Sequence, residues 1–172
     1  MKLAGVVAVM IGAVALQMAF ARFTVGGRWQ LDLVLVAVSF VALRWGPGAG
    51  GIGGTIGGLT QDALAGGIIG IGGLAMTVVG FGVGVVGSQF IVARPGPRML
   101  VVAGATVAHR LIVQAILSAI DLHWAGVSWL GMLSETGLNA LAALIVFQSL
   151  ETVPALMRRR PSRRSAFGAR KW

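Results

Sequence analysis

The chain is short of the residues on which soluble proteins usually depend. Its 172 residues include no cysteine, no tyrosine, a single asparagine and only five acidic side chains. Without cysteine there is no disulfide, no thiolate nucleophile and no cysteine-ligated metal site. Charged residues make up 11% of the chain, against about 25% in an average soluble domain. These shortages argue against a soluble enzyme, a disordered tail and a disulfide-rich secreted module.

Long apolar runs take the place of the missing polar residues, and the mean hydropathy is +0.88. A helix needs roughly 20 mostly apolar residues to cross a bilayer core. We therefore expect an all-α polytopic membrane protein. Its six predicted transmembrane helices span about residues 3–21, 29–45, 47–65, 68–92, 99–120 and 128–157, and a basic cytoplasmic tail follows at 158–172.

Three features of this division are interpretations of local sequence. The first run follows Lys2, as in a signal peptide, but it is longer than the usual apolar region of one and further spans follow, which favours a retained helix. The third and fourth spans are divided at Gly66 and Gly67. Arg94 to Arg98 reads Arg-Pro-Gly-Pro-Arg and predicts a turn at the membrane surface.

The net charge of +9 is unevenly distributed along the chain. With the N-terminus inside, eleven basic residues fall on the inner side, seven of them in the tail, and two fall outside. The positive-inside rule then places both termini in the cytoplasm. The tail should attract anionic lipids, and no reading module or stacking platform supports nucleic-acid binding. Its clustered arginines are Arg158, Arg159, Arg160, Arg163 and Arg164.

Glycine is the most unusual residue of the chain, because 17 of the 27 glycines fall between Gly46 and Gly87. Many are four residues apart and so share one helix face. Small faces let helices approach closely in lipid. The glycines could pack the third and fourth spans together, or form a face for a partner helix or a second copy of the chain. The candidate packing residues are Gly50, Gly54, Gly58, Gly80 and Gly84.

Charged side chains inside predicted spans are costly and are therefore candidates for pairing or function. Arg110 lies 12 residues past Arg98, or about 18 Å from the inner boundary. Glu135 lies six residues past Trp129, or about 9 Å from the outer boundary. Because the fifth and sixth spans are joined by a short turn, we expect an ion pair between Arg110 and Glu135.

Asp62 and His109 are the other polar residues of interest within the spans. Asp62 could cap the turn that follows at Gly66, or project into the protein interior or onto a partner surface. His109 is expected to be a packed or hydrogen-bonded histidine rather than a ligand. No residue spacing indicates a metal site or a catalytic constellation, and we expect neither a cofactor nor an enzymatic activity.

Several motifs resemble the MreD family, the small polytopic subunit of the bacterial rod-shape machinery. They are the Asp-Leu pair at Asp32 that opens span two, the Leu-Arg-Trp-Gly sequence around Arg44 that closes it, and the Gly-Leu-Thr-Gln-Asp sequence from Gly58 to Asp62. The similar region covers about residues 29–87. Family motif positions are matched by Arg44, Gly58 and Asp62, which the resemblance makes candidate interaction or structural residues. The extra glycines around 53–57 depart from the family pattern.

The resemblance implies a non-enzymatic scaffold in the bacterial inner membrane. MreD-like proteins associate with MreC, which has one membrane helix and a large periplasmic domain. Through it they are linked to a SEDS glycosyltransferase, a penicillin-binding transpeptidase and MreB, and so to peptidoglycan synthesis and cell shape. The resemblance also implies a fold similar to the S-components of energy-coupling-factor vitamin transporters.

A vitamin-binding S-component is therefore the alternative function. Two Ala-x-x-x-Ala patterns in the first span, Ala4 with Ala8 and Ala15 with Ala19, are similar to the coupling pattern of that family. Against this alternative, the predicted outer loops are short, and they are poor in the Tyr, Asn and Asp side chains that line polar pockets.

Overall fold

A computed structural model of the chain describes residues 2–21, 31–66, 68–90, 95–121 and 129–158. Within these ranges the protein is all-helical, as the sequence predicts. The six helices are α1 (Lys2–Ala21), α2 (Leu33–Trp45), α3 (Pro47–Ala65), α4 (Ile71–Gln89), α5 (Pro95–Asp121) and α6 (Trp129–Arg158).

Four of these helices are long and apolar enough to cross a membrane. Their apolar stretches are Leu3–Phe20, Ile71–Gln89, Gly96–Ile120 and Trp129–Ser149. The other two helices differ for separate reasons. Helix α2 is apolar but has only 13 residues, or about 20 Å. Helix α3 has 19 residues, but seven of them are glycines, which add little hydropathy.

Helix α2 is the centre of the bundle and contacts every other helix. Its side chains from Leu33 to Ser39, together with Val41 and Ala42, are buried. A helix that is apolar on all faces belongs inside a protein or a membrane. In this bundle the other five helices surround α2. They follow one another around α2 in the order α1, α3, α4, α5, α6. Among the described residues, α1 does not contact α5 or α6.

Helices α5 and α6 are attached to α2 by a small apolar cluster. Val36 of α2 packs against Val102 of α5 and against Ala143 and Phe147 of α6. The Phe147 ring stands edge-on to Phe40, with 5.3 Å between ring centroids. On its other side the guanidinium of Arg98 lies 5.4 Å from the Phe147 centroid, which is a cation–π distance.

The predicted glycine face lies between α3 and α4, where the two backbones meet. A Cβ atom at Gly50 would overlap the Gly80 carbonyl, and one at Gly54 would overlap the Met76 carbonyl. A Cβ atom at Gly58 would lie 2.6 Å from the Gly73 Cα. Contacts this short are available only to glycine. The glycines therefore pack α3 on α4, and this face has no room for a partner helix.

Gly84 and Gly57 extend the close contact to neighbouring elements. Gly84 faces Pro47, at the turn between α2 and α3, and a Cβ atom there would overlap the Pro47 Cα. On the opposite side of α3, a Cβ atom at Gly57 would lie 2.7 Å from Cγ1 of Val34 in α2. Because glycine has no side chain, α3 packs closely against α4 on one side and against α2 on the other.

The helix ends follow local sequence signals, with one exception. Helix α3 ends where the sequence places the division, because Gly66 adopts the left-handed conformation with φ of 66°, which favours glycine. The turn predicted from Arg94 to Arg98 is instead largely helical, since α5 begins at Pro95. Proline is tolerated in the first turn of a helix, where its missing N–H would have no helical partner.

The α3–α4 contact predicts a strong difference between two glycine-to-alanine substitutions. Gly54→Ala should destabilise the protein by about 1–3 kcal/mol, because its methyl group would overlap the α4 backbone. Gly82→Ala is the matched control on α4, since a Cβ atom there meets nothing within 4 Å, and it should be neutral or stabilising. Thermal unfolding in detergent micelles measures both, and equal stability of the two variants would contradict this packing.

Candidate functional site

A cavity of about 920 Å³ lies at the end of the bundle where α2 and α4 begin. It is bounded by the last turns of α1 and α3, the middle of α5 and the start of α6. In the described part of the chain its wall is mostly apolar, and the polar side chains that interrupt it include Gln17, Asp32, Gln61, Asp62, Arg110 and Glu135. His109 also lines the cavity. A concave apolar site with a few convergent polar groups is typical of ligand-binding pockets.

Asp32 forms the N-cap of α2 at the floor of the cavity. Its Oδ1 accepts hydrogen bonds from the Leu35 backbone N–H at 2.9 Å and from Nε2 of Gln61 at 3.3 Å. An aspartate is among the best residues for this position, because it satisfies a helix N–H that has no partner in the helix. Asp32 is 6% exposed, so the cap is almost completely enclosed by protein.

A chain of hydrogen bonds connects this cap to α5 and α6. The Asp32 backbone N–H donates to Oδ1 of Asn139 at 2.9 Å, and Nδ2 of Asn139 donates to Oγ1 of Thr106 at 3.3 Å. The Thr106 hydroxyl in turn donates to the Val102 carbonyl. All these side chains are buried. The only asparagine of the chain therefore joins the start of α2 to two other helices.

Asp62 caps the start of α4 from the end of α3. Its Oδ2 accepts hydrogen bonds from the backbone N–H groups of Gly70 at 2.8 Å and Gly73 at 3.0 Å. Of the roles considered for Asp62, the structure therefore shows a cap, although it caps the helix that follows the turn rather than Gly66. The negative charge also suits the positive end of the α4 dipole.

Arg110 and Glu135 lie together, as the depth argument anticipates. Both Nε and an Nη of Arg110 contact Oε2 of Glu135, which makes a two-point ion pair. The pair is asymmetric in its burial, because the side chain of Arg110 is 42% exposed and that of Glu135 only 6%. Both residues lie within apolar stretches long enough to span a membrane.

His109 is packed against the cavity wall without a hydrogen bond. Both of its ring nitrogens are buried, and neither has a partner in the described part of the chain. The expectation of a packed histidine fits this position, whereas a hydrogen-bonded one does not. Among the described residues, no group of three or more His, Cys, Asp or Glu side chains is arranged to hold a metal ion.

The remaining candidate residues lie away from the cavity. The glycine face (Gly50, Gly54, Gly58, Gly80 and Gly84) is occupied by contacts within the fold. Arg44 is exposed in the last turn of α2, where a positive charge is favourable. Arg158 is the last residue of α6. The other tail arginines, Arg159, Arg160, Arg163 and Arg164, lie outside the described residues.

Sequence reasoning missed the polar residues around Asp32. Asp32 itself carried a usable signal, since an aspartate just before an apolar run predicts an N-cap. Gln17 has no such signal, although its Oε1 accepts a hydrogen bond from the Val34 backbone N–H at 3.1 Å. Gln61 and Asn139 also reach Asp32 from distant parts of the chain. Only the folded arrangement brings these side chains together.

The asymmetric burial of the ion pair predicts unequal effects for its two partners. Arg110→Met would leave the enclosed Glu135 carboxylate without its partner, which should cost about 3 kcal/mol. Glu135→Met would leave the half-exposed guanidinium, which can reach water, and should cost only about 1 kcal/mol. The double variant should be more stable than Arg110→Met alone. Denaturant unfolding in micelles tests this, and equal losses for the two single variants would count against the pair.

No family model matches the chain, and no curated protein or solved structure matches it either. The resemblance to MreD is carried by sequence motifs within about a third of the chain.

Proposed function

We propose that this chain is a non-enzymatic membrane scaffold of the rod-shape complex, of the MreD type. In this role it holds an MreC-like partner in the membrane and so helps to regulate peptidoglycan synthesis and cell shape. Its position is the bacterial plasma membrane, with six spans and both termini in the cytoplasm. The distribution of lysine and arginine supports this orientation.

The observation that carries the proposal is the position of the motif residues in the bundle. Asp32 caps α2, Gly58 permits the contact between α3 and α4, and Asp62 caps α4. Three residues that carry the resemblance thus organise one unit of three helices. A sequence similar to MreD at these positions is expected to share this unit, because each residue type suits its place.

Six spans are compatible with the short α2 and the glycine-rich α3. Helix α2 is surrounded by protein on all sides, so its contact with lipid does not limit its length. Helix α3 faces α2 and α4 with its glycines, and lipid would meet its apolar residues Ile52, Leu59 and Leu64, which are exposed. The other four helices are long and apolar enough to span the bilayer, and α2 and α3 would cross it packed against them.

Helix α1 offers the surface for a partner's membrane helix. Among the described helices it contacts only α2 and α3, and it leaves a face of small residues exposed at spacings of four, four, three and four. These residues are Ala4, Ala8, Gly12, Ala15 and Ala19. Small residues at this spacing let transmembrane helices pack closely. The sequence analysis offers the glycines of α3 and α4 as one possible face for a partner helix. Because those glycines are occupied by contacts within the fold, we place the partner face on α1 instead.

The occupant of this face is the single membrane helix of an MreC-like bitopic protein. Its periplasmic domain would then be held in position to act on wall synthesis. The SEDS glycosyltransferase, the penicillin-binding transpeptidase and MreB would be reached only indirectly. A second copy of the chain is the competing occupant of the same face. The basic tail would bind anionic lipids beside the end of α6.

Co-purification with a co-expressed MreC-like protein tests the proposal. Gly12→Leu would place a bulky side chain on the α1 face, and we expect it to reduce the recovered partner several-fold. It should not alter folding, because a Cβ atom at Gly12 meets nothing within 4 Å. Gly104→Leu on α5 is the matched control, since that position is equally open.

Two results would contradict the proposal. If the wild-type chain retains no MreC-like protein, the scaffold function fails. If the partner is retained equally by Gly12→Leu and by Gly104→Leu, the scaffold function stands but the α1 face is wrong. Loss of self-association in Gly12→Leu, with the partner retained, would assign the face to a second copy.

A substrate-binding S-component is the second candidate, and the cavity is the observation that favours it. The alanines of its coupling pattern, Ala4 with Ala8 and Ala15 with Ala19, are exposed on α1. The two candidates differ in what should associate with the chain. An S-component should co-purify with a transporter energising subunit and retain a vitamin, whereas the scaffold should co-purify with the MreC-like protein.

A further inference from the structure

The three carboxylates of the cavity share one unusual property: each uses only one oxygen. Asp32 accepts its two hydrogen bonds through Oδ1, and Asp62 accepts both of its bonds through Oδ2. Glu135 meets Arg110 only through Oε2. Within the described part of the chain, the second oxygen of each carboxylate has no hydrogen-bond partner. As whole residues, Asp32 and Glu135 are nonetheless almost completely buried.

None of these second oxygens is fully buried, and an acceptor on a mostly apolar wall is better satisfied when something donates to it. His109 lies on the same wall, and both of its ring nitrogens are buried there without a partner in the described part of the chain. The carboxylate oxygens of the cavity are acceptors that lack a donor in the described part of the chain. A polar site this incomplete points to a donor group that is supplied from outside the chain.

The charge of the cavity specifies the donor. Among the residues that the structure describes, three carboxylates line it, and one guanidinium, that of Arg110, offsets them. An ammonium group carries one positive charge and three N–H donors, and it has no acceptor. The described side chains do not form a metal-binding group, which favours an organic cation.

The apolar wall specifies the rest of the ligand. Most of the lining consists of aliphatic and aromatic side chains from α1, α3, α4 and α5, including Val14, Leu64, Ile71, Val113 and Leu117. A volume of about 920 Å³ lies within the usual range for sites that hold a small organic molecule. We propose that this cavity binds a primary ammonium group carried on an apolar chain.

This inference goes beyond the scaffold function and does not depend on it. The same chemistry has two sources, which are a free alkylamine and the ethanolamine headgroup of a phospholipid. In both cases the ammonium group would lie near the carboxylates of Asp32 and Asp62, and the apolar chain would lie along α1 and α5.

The test uses the full chain in nanodiscs of phosphatidylglycerol and three probes with one apolar chain. Hexylammonium, hexanol and hexanoate differ only in the polar end, and each is titrated against the thermal unfolding midpoint. A ligand that binds the folded state raises this midpoint. We expect hexylammonium to stabilise the protein, hexanol to do so much less and hexanoate not at all.

The double variant Asp32→Asn/Asp62→Asn removes both charges and retains two good capping residues. We expect it to weaken the apparent affinity for hexylammonium about tenfold or more. Glu151→Gln is the matched control. It removes a carboxylate from the same helix as Glu135, but 16 residues further along, or about 24 Å. Val113→Trp fills the cavity without changing a capping residue and should also weaken hexylammonium binding. This variant replaces the double variant in the test if the double variant does not fold.

Equal stabilisation by hexanol and hexylammonium would overturn the proposal, and so would full retention of the hexylammonium shift in both cavity variants. Adding phosphatidylethanolamine to the nanodiscs identifies the source. If the lipid headgroup occupies the cavity, the apparent affinity for hexylammonium falls, whereas a free amine as the ligand leaves it unchanged. Co-purification of the MreC-like partner is a separate readout, so failure here and failure of the scaffold function are distinguishable.

Discussion

The close approach of α3 to α4 is the constraint on which the rest of the structure depends. The two backbones touch at Gly50, Gly54 and Gly58, where any side chain would separate the helices. Glycine is a poor helix residue in water, but in a tight contact between helices its missing side chain is the requirement. Because α3 lies this close, Thr55 and Thr77 share a hydrogen bond at 2.8 Å, and Asp62 reaches the first turn of α4.

This contact also determines the polar end of the bundle. With α3 held on α4, Gly57 faces Val34 and Gln61 reaches the Asp32 cap. Asp32 then connects through its backbone N–H to Asn139 on α6. The contact between α3 and α4 therefore supports both the apolar centre of the bundle and the acidic cavity at its end. The apolar centre of the bundle stabilises the short helix α2. In the cavity, one oxygen of each lining carboxylate has no donor in the described part of the chain, and this distinguishes the cavity from ordinary helix capping.

Much of this fold could be predicted from the sequence, and the limits have a physical reason. Hydropathy and length predict the helices closely, and glycine spacing predicts which residues approach one another. Residue counting along α5 and α6 anticipates the meeting of Arg110 and Glu135. The orientation of each helix could not be predicted, because helices that are apolar on every face give no periodic signal. For this reason the central position of α2, the bond from Asp32 to Asn139 and the exposed small face of α1 become visible only in the folded protein.

Cysteine crosslinking tests the α3–α4 contact most directly, and the chain has no cysteine of its own to interfere. Thr55→Cys/Thr77→Cys would put two thiols where hydroxyls lie 2.8 Å apart. Thr60→Cys/Thr77→Cys is the control, because Thr60 is exposed and bonds only along its own helix. After oxidation in membranes, the first pair should resist maleimide labelling until reductant is added, whereas the control pair should label at both thiols. Full labelling of the first pair after oxidation would contradict the packing on which this account depends.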